Sequence, residues 1–172
     1  MGVTEPKVIH VVQGEHAVSD RPEAVITTVL GSCVSACITD PVRGIGGMNH
    51  FLLPDGGGDP RDNRYAAAAM EILVNALLRK GASRARMQAK LFGGARMMPG
   101  LPDIGARNAE AARCFLRDEG IALISGDLGG AQARRIRLWP VTGRVQLLVL
   151  ARTEPPPREA PLAPRVGNVE LF

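Results

Sequence analysis

The stretch from Thr27 to Pro54 constrains this chain more than any other, because it reads as one ribbon folded back on itself. Val34, Ala36 and Ile38 alternate with Ser35, Cys37 and Thr39, the period of a half-buried strand. Asp40-Pro41-Val42-Arg43-Gly44 then carries proline where a type I turn takes it, and Ile45 to Leu53 returns as the partner strand. Loop length decides what faces what. A two-residue loop, Pro41 and Val42, sets Cys33 across from His50, and a four-residue loop ending at Gly44 sets it across from Leu52. Both keep thiol and imidazole on one face; a three-residue loop separates them, because a one-residue slip inverts every side chain.

A thiol and an imidazole on one face suit nucleophilic attack on a carbonyl. A free cysteine near neutral pH is mostly thiol, and a neighbouring imidazole can take its proton and later return it to a leaving amine. Cys33 is thus the candidate nucleophile and His50 the candidate base and acid. Gly31 and Ser32 precede the cysteine; glycine permits a sharp turn, after which nearby amides can point at the oxygen of a tetrahedral intermediate.

These residues resemble the CheD family of bacterial chemoreceptor glutamine deamidases. The family's pattern is matched by Leu30-Gly31-Ser32-Cys33, Asp40-Pro41 and Gly46-Gly47-Met48-Asn49-His50-Phe51 in order and spacing. Later segments, Lys90-Leu91-Phe92-Gly93-Gly94-Ala95 and Asp127-Leu128-Gly129-Gly130, resemble its glycine motifs and extend the likeness over roughly Val8 to Leu150. The family's threonine, six residues before its cysteine, is matched by Thr27, so the resemblance implies a triad of Thr27, Cys33 and His50, with Thr28 the lesser candidate. It also implies that Gly31, Ser32, Phe92, Gly93, Gly94, Asp127, Gly129 and Gly130 line the oxyanion or substrate site. The implied fold is α+β, a three-layer β/β/α sandwich similar to toxin deamidases of the cysteine-hydrolase type, with the hairpin carrying Cys and His at its centre and two main helices. The implied activity is hydrolysis of glutamine side chains on methyl-accepting chemotaxis receptors through a Cys thioester, or of receptor methyl esters with the same parts. No metal or organic cofactor is implied, and a CheC-type phosphatase is a further partner.

Composition narrows the remaining classes. The chain has 172 residues, 45% of them hydrophobic, enough for one domain with a core. Its net charge of +4 suits an acidic partner, but with aromatics at 3% there is no stacking platform for single-stranded nucleic acid. No apolar run is long enough for membrane insertion, and the N-terminus lacks a leader pattern, so a cytoplasmic protein is expected. Three cysteines make no disulfide framework. On a strand Cys33 and Cys37 stand roughly 13 Å apart, too far for a shared zinc or a disulfide, so Cys37 reads as a packed residue. Two rivals to the hydrolase stand beside it: a regulatory module that binds receptor or phosphatase and does not need its hydrolysis, and a thiol redox sensor indifferent to His50.

Elsewhere the pattern predicts strands over Val8 to Val12, Ala17-Val18, Ala24 to Leu30, Arg86 to Phe92 and Ile121 to Ser125. It also predicts a hairpin of Arg134 to Trp139 and Arg144 to Arg152, with arginine-rich strands of edge type. Helices are expected over Tyr65 to Lys80 and from Ile104 or Gly105 to Glu119, each ended by a glycine. Asp55 to Asn63 reads as a flexible loop beside the His50 strand. The domain is expected to span 1–153, and the proline-rich 154–172 to be a disordered tail with a possible docking motif at Val169 to Phe172.

Overall fold

The computed structural model describes residues 4–53, 60–151 and 166–172. Two five-stranded sheets stack face to face. The first has the order β1 (Lys7–His10), β3 (Ala24–Leu30), β8 (Arg134–Trp139), β9 (Arg144–Leu150), β10 (Val166–Leu171), and the second β2 (His16–Ser19), β5 (Ile45–Asn49), β4 (Val34–Asp40), β6 (Gln88–Gly93), β7 (Ala122–Leu128). Two helices, α1 (Pro60–Arg79) and α2 (Ile104–Asp118), cover the far side of the second sheet. Neighbouring strands are antiparallel except β1 with β3 and β6 with β7.

Two cores follow from this layering. Met70, Leu73, Val74 and Leu77 of α1 and Ala109, Ala112 and Leu116 of α2 form helical stripes that bury Val34, Ala36 and Ile38 of β4. Between the sheets, Ile26 and Leu30 of β3 meet Cys37, Met48 and Phe92 of the second sheet and Ile136, Leu138 and Leu147 of the first. Because β4 is the middle strand of the middle layer, all seven of its residues are buried, where alternation alone predicts a half-buried strand. Among the described residues no helix is long and apolar enough to cross a membrane.

Three expectations change. β8 lies in the middle of its sheet rather than at an edge; its arginines at 135 and 137 are tolerated because they lie on the sheet's other face, where both are exposed, while Ile136 and Leu138 point into the core. The last residues form β10, paired with β9, and Phe172 closes on Val145 and packs edge-on against Phe92 with ring centroids 5.7 Å apart. That end is a sheet edge, not a disordered tail, and Val169 and Leu171 of it are exposed; 152–165 lies outside the described residues. Pro60 to Asn63, expected in a loop, form the first turn of α1, and 54–59 also lies outside them.

Candidate functional site

Of the loops compatible with a paired thiol and imidazole, the chain takes the four-residue one. β4 and β5 pair from Cys37 with Met48 to Asp40 with Ile45, and Val34 bridges Phe51. The Asp40 carboxylate accepts from the amides of Val42 and Arg43, and Gly44, at φ 70°, donates to the Asp40 carbonyl. Continued to each end, this register sets Cys33 opposite Leu52 and His50 opposite Ser35. Cys33 and His50 are then diagonal neighbours on the face towards the first sheet, with backbones about 7–8 Å apart. Among the described residues no hydrogen bond joins them directly.

The imidazole is held by Thr28, not Thr27. Thr28 Oγ1 lies 2.7 Å from His50 Nδ1 and 2.6 Å from the carbonyl of Val11. A carbonyl can only accept, so the single hydroxyl proton belongs to the Val11 bond and Nδ1 must donate to Oγ1. That assignment leaves the Nε2 lone pair available as a base. Burial pushes the imidazole pKa down, and the Val11 carbonyl only partly offsets this, so the ring is neutral. Strand alternation explains the exchange of threonines. Thr28 shares the inward face of β3 with Ile26 and Leu30, whereas the Thr27 hydroxyl donates to the Ile136 carbonyl, 2.7 Å away.

Cys33 is half-buried, and its Sγ lies 3.8 Å from Oε1 of Gln13, a residue the sequence pattern did not single out. Gln13 belongs to the bend between β1 and β2, which is tied to the histidine by Gly14 N–H to the His50 carbonyl and His50 N–H to the Glu15 carbonyl. Burial pushes the Cys33 thiol up, partly offset by its own backbone N–H. The pair at rest is neutral thiol and neutral imidazole. Among the described residues the Ser32 amide donates to no protein acceptor and the Cys33 amide meets only its own sulfur, so neither is tied to another residue when an oxyanion forms. By contrast Cys37, fully buried and pushed up to about 12, is inert packing.

The later glycine motifs brace this loop. Gly94 N–H donates to the Cys33 carbonyl, Gly129 N–H to the Gly93 carbonyl, and Ala95 N–H to the Gly31 carbonyl. Gly93 sits at φ 105°, where a Cβ would come within 2.2 Å of the Cys33 carbonyl oxygen; only glycine allows that approach. Behind it, Asp127 and the Gly129 carbonyl hold the buried Arg134, and the Gly130 carbonyl accepts from Arg96. Phe92, expected at the substrate site, is fully buried between the sheets. The amides of Gly94 and Gly129 are already bonded and cannot serve an oxyanion. Among the described residues no three His, Cys, Asp or Glu side chains converge as metal ligands.

A second brace comes from α2. Asn108, fully buried, accepts from the Leu53 amide and donates to the Ser32 carbonyl, each at 2.8 Å, clamping the cysteine loop to the segment beyond His50. Its signal in the sequence is a polar residue on the otherwise apolar stripe of Ala109, Ala112 and Phe115. Asn108→Ala orphans two buried backbone groups, so thermal or urea unfolding is expected to show a loss of about 2–3 kcal/mol.

The comparisons with known proteins bear on this site. The family model described as CheD chemotactic sensory transduction matches residues 52–148. A "Probable chemoreceptor glutamine deamidase CheD" of Caulobacter vibrioides is 51% identical, covering 95% of this chain and 92% of that one. Proteins of the same name from Acidiphilium cryptum and Agrobacterium fabrum are 52% and 45% identical over 95% and 96% of this chain, and 93% and 97% of theirs. Among solved structures, Bacillus licheniformis hypothetical protein YfiH overlays 72% of this chain and 59% of its own at a TM-score of 0.45 and 18% identity, too loose a likeness to bear on the chemistry.

Proposed function

Since the chain belongs to the CheD family, we propose that it hydrolyses glutamine side chains of chemotaxis receptors to glutamate and ammonia, with Cys33 as nucleophile, His50 as base and acid, and Thr28 as the residue that positions His50. The observation that carries this reading is the Thr28 hydroxyl, which fixes His50 in the tautomer whose free nitrogen can accept a proton.

In the first step the thiol proton passes to His50 Nε2 as Sγ bonds the amide carbon, and the amides of Ser32 and Cys33 receive the oxyanion. Nε2 then returns the proton to the amide nitrogen as the C–N bond breaks and ammonia leaves. Water adds to the thioester, giving a proton to Nε2; the C–S bond breaks and Sγ recovers its proton. A receptor methyl ester would pass through the same thioester with methanol leaving. A CheC-type phosphatase as a binding partner belongs to the same reading by family resemblance.

Mass spectrometry of receptor cytoplasmic fragments incubated with the protein tests this: selected glutamines should gain the mass difference between amide and acid. Fragments that bind but stay unmodified would favour the regulatory module instead. The two threonines separate by the same assay. Thr28→Val is expected to lower kcat about tenfold to a hundredfold, in the range found for groups that orient a catalytic histidine or ligand, whereas Thr27→Val should leave kcat within a few-fold and act on stability. Because burial lowers the His50 pKa, kcat/KM should rise with pH through one ionisation below the ordinary histidine value of 6.5 and stay level through neutrality.

A further inference from the structure

A cavity of about 330 Å³ opens at the first sheet, and His50, Thr28 and Gln13 form one end of its wall; Cys33 is outside the lining, with its Sγ 3.8 Å from Oε1 of Gln13. The other end is formed by Arg135 and Arg137 of β8. Two residues apart on one strand, these side chains emerge on the same face roughly 7 Å apart. Their neighbours across the ladder are Val29 and Thr27 of β3.

Among the described residues the charge in this cavity is uncompensated: none of those lining it is an aspartate or glutamate, and the other ionisable side chains are His10 and His50. Among the described residues neither guanidinium has a hydrogen-bond or ion-pair partner, although most other arginines of the fold do. Arg134, next along the strand, holds Asp127, and Arg43 and Arg86 hold Asp20 and Asp40. Two guanidinium forks with free donors, side by side over exposed Val8, Val12 and Val29, match a carboxylate carried on a polypeptide with some aliphatic surface.

We propose that Arg135 and Arg137 form a subsite for an acidic side chain close in sequence to the target glutamine. The inference rests on the deamidase reading, since it is the shared wall with His50 that links the two. A substrate segment lying across the sheet delivers its amide past Gln13 to the thiol while a nearby Asp or Glu enters between the arginines. The subsite selects which glutamines are converted; it takes no part in bond making.

The test uses the full chain, a receptor cytoplasmic fragment, and the same fragment with the acids near each converted glutamine changed to alanine. Arg135→Gln/Arg137→Gln should raise KM for the native fragment about tenfold or more, as expected for lost charge-assisted hydrogen bonds, with kcat little changed. On the alanine fragment wild type and variant should match. Arg137→Glu should regain rate on a fragment whose neighbouring acid is changed to lysine, a rescue that a folding defect cannot give. Arg117→Gln, at an exposed position of α2, serves as the control for net charge. Equal KM for wild type and double variant on the native fragment would overturn the subsite, as would the same loss on both fragments or converted glutamines with no acid within roughly four residues. Absence of any turnover by wild type is a different outcome: it removes the deamidase reading itself.

Discussion

Cys33→Ala is expected to abolish glutamine conversion, with kcat falling by roughly 10⁴-fold or more, the scale seen when the nucleophile of a nucleophile–histidine pair is deleted. Fold and stability should be nearly untouched. The thiol is half-buried and its Sγ makes one weak contact, to Gln13, so its removal costs little packing. Receptor binding should also persist, because nothing in the braces around the loop involves the sulfur: the Cys33 carbonyl, not the side chain, is held by Gly94. A variant that binds but does not convert separates the hydrolase from the regulatory module. Alkylation separates it from a redox sensor: with burial raising the thiol, Cys33 is expected to react slowly with alkylating agents at neutral pH, whereas a sensor needs a thiolate poised to react and would be modified fast.

The second large effect is on stability, at the hairpin's turn. Asp40 is fully buried and accepts from the amides of Val42, Arg43 and Ser83 and from the Arg86 guanidinium at 2.8 Å. Burial alone would raise this carboxyl, but the bonds from Arg86, Ser83 and Arg43 outweigh it and hold it down at about 2, against an ordinary 3.8. Asp40→Ala orphans these donors and loosens the turn that sets the register of Cys33 and His50. A loss of about 3 kcal/mol is expected, or about 6–12 °C in Tm for a chain of this size. The pH dependence has a definite sign. A carboxyl depressed on folding stabilises the protein above its unfolded pKa, and that contribution is lost as pH falls from 3.8 through about 2. Asp40→Asn should therefore be less stable than wild type at neutral pH and show a flatter decline over that acid window.

Much of the site was legible because it lies on period-two strands. Alternation located β4 and the returning β5, and face parity showed that thiol and imidazole needed an even loop. What pattern alone left open was which even loop, since that depends on the Asp40 carboxylate gathering the turn amides. The choice between Thr27 and Thr28 was hidden for a related reason. β3 is apolar on both faces, with Val25 and Val29 on one and Ile26 and Leu30 on the other, so hydrophobicity does not say which threonine looks inward. Asn108 and Gln13 act across the fold from distant elements, and no local period marks such contacts. The final strand was masked by the prolines before it, and the arginines of β8 read as an edge because nothing in one strand's sequence shows that its sheet has an open face.

The most direct measurement is to quench a single turnover with acid and map the covalent adduct by mass spectrometry. A receptor glutamine joined through its side-chain carbonyl to Cys33, formed by wild type and absent from His50→Ala, is the expected result. Conversion of glutamine with the adduct on another residue, or with no adduct while Cys33→Ala turns over at the wild-type rate, would contradict it.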